Sequence, residues 1–112
     1  MLFITEESDF SYKGRIQILY FYTIWLPFKR KTLLMLEKAE EKYKDIAFFA
    51  IDVDHFPSFC KRFQIDTIPT VLFMVGGKEV KRISEVWETQ LFMGAFADIC
   101  NPESPNMEKS HA

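Results

Sequence analysis

What the chain lacks narrows its chemistry first. It has two cysteines, Cys60 and Cys100, and no Cys-x-x-Cys pair. Their separation matches no zinc-ligand spacing, and His55 and His111 have no partners at ligand spacing either. No metal and no cofactor is therefore expected. Two thiols in 112 residues suit a reducing compartment, with a single disulfide left open. There is no basic excess. Fourteen Lys and Arg against sixteen Asp and Glu leave a net charge of −2, with the signs interspersed. Such a chain offers no cationic field for nucleic acid. The first nine residues include Glu6, Glu7 and Asp9 and lack the basic start and apolar core of a signal peptide. The apolar stretch at 16–28 is interrupted by Gln17 and Thr23 and is too short to span a bilayer. A soluble, cytoplasmic protein without membrane contact is expected.

What is present is a core. Hydrophobic residues make up 48% of the chain, and twelve are Phe, which argues against disorder. The length suits one domain. We assign it to residues 1–100. Residues 101–112 hold two prolines and two serines with little that is apolar, and read as a mobile tail.

The chain is organised around Ile16 to Lys29. Ile18 to Tyr22 is an unbroken apolar run, which suits a strand covered on both faces. Thr23 to Leu26 forms a connection, and Pro27 suits the first position of a helix. Thr32, Met35, Leu36, Ala39 and Tyr43 then recur at helical spacing. Ala47 to Ile51 and Thr70 to Val75 are further buried runs, and Leu2 to Thr5 is a short edge strand. Phe56 to Phe63 reads as a short helix with Pro57 near its start and Cys60 on its apolar face. Gly76-Gly77 turns the chain into Lys78 to Ser84, an edge strand whose apolar residues are Val80 and Ile83. Glu88 to Cys100 is the last helix, with a stripe of Leu91, Phe92, Ala95, Phe96 and Ile99. The order β, β, α, β, α, β, β, α predicts an α/β fold: a central mixed sheet of four to five strands flanked by helices on both faces.

At this point the residues resemble a known family, the thioredoxins, over residues 2–100. Ile18 to Phe28 is similar to the strand and loop entering the thioredoxin active-site helix, with Pro27 at that motif's proline. Asp52-Val53-Asp54 resembles the end of the third strand. Ile68-Pro69-Thr70 resembles the cis-proline loop, and Gly76-Gly77-Lys78 the last hairpin turn. The resemblance implies a thioredoxin fold and a cis Ile68–Pro69 bond. It also implies a backbone beside Pro69 that can pair with an extended peptide.

The departures bear on function. Aligned on Pro27, the family's cysteines fall at Trp25 and Phe28, its buried acid at Leu19 and the paired lysine at Ala50. Thiol–disulfide exchange needs an attacking thiolate and a resolving thiol. This loop supplies neither. The expectation is a redox-inactive binding module for a protein or extended peptide. Its surface would join Trp25, Leu26, Pro27, Ile68, Pro69, Ser84, Glu85 and Trp87. Trp25 and Leu26 could equally fold inward as core, whereas Phe28 is expected inside. One alternative is an atypical thioredoxin-related oxidoreductase using Cys60 or Cys100. Another is a homodimer closed through the Trp25 patch.

Overall fold

The computed structural model describes residues 1–10, 15–26, 29–84 and 89–100, the side chains of Lys29 and Thr89 excepted. Residues 101–112, read above as a tail, lie outside it. The elements are β1 (Leu2–Phe3), a short 3-10 turn (Glu7–Asp9), β2 (Ile16–Tyr22), α1 (Lys29–Lys42), β3 (Ile46–Asp52), α2 (Pro57–Arg62), β4 (Thr70–Val75), β5 (Lys78–Ser84) and α3 (Thr89–Cys100). The strands form one sheet in the order β1-β3-β2-β4-β5. β1 and β2 run parallel to β3, while β4 is antiparallel to β2 and to β5.

The apolar runs occupy the middle of this sheet because both of its faces are covered. Side chains alternate across a strand, so each run feeds two cores. Ile18 and Tyr20 of β2 join Ala50, Val71 and Phe73 beneath Leu36 and Ala39 of α1 and Phe92 and Phe96 of α3. Leu19 and Phe21 join Phe49, Ile51, Leu72 and Met74 on the opposite face, against Phe59 of α2 and Phe10. Each such aromatic or aliphatic side chain removed from water contributes about 1.5–3 kcal/mol. α1 buries Thr32, Met35, Leu36 and Ala39, the three- and four-residue spacing of its sequence.

One position of the expected α3 stripe lies elsewhere. Leu91 is exposed, and α3 buries Phe92, Ala95, Phe96 and Ile99 without it. One residue is about 100° of helix, enough to swing Leu91 off the stripe. Val80 is also exposed. The ladder between β4 and β5 shifts there: Phe73 pairs with Lys81 and Met74 with Glu79, so Val80 is the extra residue of a bulge.

Turn chemistry sets the junctions. Gly76 and Gly77 have φ of +59° and +80°, the positive values that a two-residue hairpin turn requires at both corners. α2 ends in a Schellman motif. Ile65 N–H donates to the Cys60 carbonyl at 2.8 Å and Gln64 N–H to the Lys61 carbonyl at 3.3 Å. Gln64 sits at the left-handed position, φ +53°, where glycine is usual. Arg82 of β5 reaches across to this end, donating to the Gln64 and Phe63 carbonyls at 2.9 and 2.8 Å and to Glu79 at 2.8 and 2.9 Å. The loop that leads toward Pro69 is thereby tied to the sheet. Among the described residues no helix is long and apolar enough to cross a membrane.

Candidate functional site

Strand register brings the candidate residues to one end of the sheet. Tyr22 stands opposite Asp52, Phe21 opposite Thr70, and Thr70 opposite Ser84. The connection after Tyr22, the segment after Asp52, Pro69 and Ser84 therefore share that end, with neighbouring strands about 4.8 Å apart.

The connection is a tight turn. Leu26 N–H donates to the Thr23 carbonyl at 3.1 Å, which leaves Ile24 and Trp25 at the two corners. They are 55% and 81% exposed. The base of the turn is moored to the end of β3. Thr23 Oγ1 donates to Asp54 Oδ2 at 2.6 Å, Asp54 N–H to Asp52 Oδ1 at 2.9 Å, and Val53 N–H to the Tyr22 carbonyl at 2.9 Å. A tryptophan is thus held out on a rigid mount rather than on a slack loop.

Beside it the Ile68–Pro69 peptide bond is cis. Thr70 Oγ1 donates to the Thr67 carbonyl at 2.5 Å and lies 3.2 Å from Ser84 Oγ, closing the loop onto β5. Ser84 is exposed, and Ile68 is half-buried against the Leu19 face of the core.

The structure sorts the expected site residues. Trp25 projects outward, so the core alternative does not describe it. Leu26 is only half-buried. The Pro69 ring is buried, contrary to its place in the expected contact surface. It follows Ile68 directly into β4, whose first residue, Thr70, is buried as well, so packing claims the ring. Pro27, Phe28, Glu85 and Trp87 lie outside the described residues. Leu19 and Ala50 are both fully buried, yet in separate clusters on opposite faces of the sheet. The structure does not bring that pair of positions together. Ile24, left out of the expected contact surface, shares the turn with Trp25. Its signal was adjacency: a turn that exposes one corner exposes the next.

Neither thiol lies on the turn. Cys60, half-buried on α2, has its pKa pushed up by burial first and by the Asp54 carboxylate second. Cys100 is pushed up by burial alone. It lines a groove of about 390 Å³ with Arg15, Ile16, Tyr43 and Ile46, by the start of β2. The seven residues of β2 put the turn roughly 20 Å away. Reactive cysteines have depressed pKa values, so both shifts run against nucleophilic use. The Tyr22 phenol is likewise raised, by burial and then by Asp52. Among the described residues no three His, Cys, Asp or Glu side chains converge to hold a metal ion.

Comparison with known proteins accords with this architecture. The family model described as Thioredoxin matches residues 7–96. Thioredoxin-2 of Saccharomyces cerevisiae is 32% identical over 77 residues, covering 69% of this chain and 74% of that protein. The thioredoxin-like protein YusE of Bacillus subtilis is 34% identical over 67 residues, covering 60% of this chain and 63% of its own length. Among solved structures, oxidized thioredoxin O2 from Arabidopsis thaliana superposes with a TM-score of 0.80 at 18% identity, over 88% of this chain and 92% of that one. The fold is the thioredoxin fold, and the chain belongs to the thioredoxin family.

Proposed function

We propose that the protein is a redox-inactive thioredoxin that binds a protein or extended peptide at the end of the sheet occupied by Trp25. The observation that carries this is Trp25 itself, 81% exposed on a moored turn that contains no sulfur. Exposed aromatic side chains on rigid supports make good interface anchors. Ile24 shares the exposed turn, and Ile68, half-buried, lies at the same end of the sheet. The backbone next to Pro69 supplies the strand-pairing capacity that the family resemblance implies. The raised pKa values of Cys60 and Cys100 count against the oxidoreductase alternative. A reducing, cytoplasmic setting suits two free thiols.

Two assays test the reading together. With dithiothreitol, the protein should not speed insulin disulfide reduction beyond the uncatalysed rate. Panning a random decapeptide library should enrich binders, and Trp25→Ala should weaken their binding by about 2 kcal/mol or more, roughly thirtyfold. Insulin reduction that disappears on Cys60→Ser or Cys100→Ser would instead establish the oxidoreductase. Self-association lost on Trp25→Ala would give the surface to a second copy of the chain.

A further inference from the structure

A second surface lies away from the Trp25 turn, between α1 and α3. It is a groove of about 420 Å³, lined by Lys31, Leu34, Met35, Lys38 and Met93. Its floor is apolar. Leu34 is 47% exposed there and adds apolar surface to the opening. Met93, half-buried, adds an unbranched thioether that adapts to varied shapes, and Met35, buried in the core, closes the floor. Lys31 and Lys38 stand on one side, both exposed, seven residues and about 10.5 Å apart along α1. Among the described residues no acidic side chain lines the groove.

On α3 the groove is bounded by Met93, and Ala97, one turn further on, is exposed and adds little height.

From these features we infer that the groove receives an amphipathic helix of a partner protein, with acidic residues two turns apart. The charge pattern selects this occupant. A helix lying along the groove repeats its side chains every seven residues at the spacing of Lys31 and Lys38. Carboxylates at those positions meet the lysines, and apolar residues between them at i+3 and i+4 cover Leu34, Met35 and Met93. A helix with lysines in place of the acids would meet like charge at both ends.

The test uses the full chain and two fluorescein-labelled helical peptides of roughly 18 residues, long enough to hold a helix. Both carry leucines at i+3 and i+4. One has Glu at i and i+7, the other Lys. Anisotropy should show the Glu peptide binding at least about tenfold more tightly, since each close charge pair is worth up to about a factor of five. In ¹⁵N spectra its shift changes should centre on Leu34, Met35 and Met93. Lys31→Glu with Lys38→Glu should reverse the preference between the peptides. Equal binding of the two peptides overturns the inference, as do no binding of either, shifts centred elsewhere, or a preference that survives the charge reversal. Sedimentation showing a dimer that Leu34→Glu dissolves would also overturn it, by giving the groove to a second copy of the chain.

Discussion

Replacing Trp25 by alanine separates an exposed anchor from a core residue by stability alone. Trp25 is 81% exposed, so about a fifth of it is covered by the fold. A tryptophan presents about 250 Å² at most, which makes the covered part about 50 Å². At about 25 cal/mol per Å², that is about 1.2 kcal/mol. The extended reference chain overstates burial, so the expected loss is about 1 kcal/mol or less. Phe92, 1% exposed on the buried face of α3, is the matched control. Its truncation leaves a cavity as well as losing contact, at about 3–5 kcal/mol. Guanidinium unfolding followed by far-UV circular dichroism measures both, with the slope m held common so that the midpoints report stability. The expected result is a small midpoint shift for Trp25→Ala and one at least three times larger for Phe92→Ala. A loss of 3 kcal/mol or more at Trp25 refutes the reasoning, because the ring would then have to be packed inside.

Other predictions concern the supports of the site and its thiols. Arg82→Ala removes the guanidinium that holds the Phe63 and Gln64 carbonyls and should cost about 2 kcal/mol, charged hydrogen bonds discounted for partial exposure. Arg82→Lys should recover less than half of this, because an ammonium lacks the planar fork. Urea melts check both, and no effect would mean that the tie is idle. Gln64→Gly relieves a left-handed backbone, φ +53°, at about 1–2 kcal/mol against a glycine entropy cost of about 0.5–1. It should stabilise by up to about 1.5 kcal/mol in the same melts, and a loss would refute the strain. The neutral forms of Cys60 and Cys100 are favoured in the folded protein. Their contribution is intact below the unfolded thiol's pKa of about 8.5 and is lost as pH rises from there through the raised pKa of the folded protein. Labelling with Ellman's reagent should accordingly follow a pH profile displaced above that of free cysteine and should accelerate in urea. A profile displaced below it would revive a catalytic thiol.

The sheet was legible because its runs had nowhere else to go. Val71 to Val75 and Ile18 to Tyr22 are apolar at successive positions, and a strand covered on both faces buries all of them but the half-buried Val75 and Tyr22. The Gly76-Gly77 corner announced the hairpin in the same way. What stayed hidden depends on small rotations. Leu91 differs from Phe92 by one step around α3, and both are equally good stripe residues by composition. Val80 left the ladder through a bulge that no side chain in the hairpin dictates. At the site, Trp25 and Ile24 continue an apolar run, so hydrophobicity pointed inward as readily as outward. Only the backbone bond from Leu26 to Thr23 turns them into solvent. Pro69 lies at that end of the sheet as well, but its ring is buried rather than exposed.

β5 has a consequence for how the molecule behaves in a crowded solution. A bare outer strand is a template on which further chains can stack into fibrils. This one carries Lys78, Glu79, Lys81 and Arg82, and its bulge at Val80 breaks the even row of amide and carbonyl groups. At the opposite margin, β1 is two residues long and offers little to copy. The sheet can therefore hold an aromatic side chain in water at one end without recruiting copies of itself along its sides, and the protein should remain dispersed at concentrations where a flat, uncharged margin would precipitate.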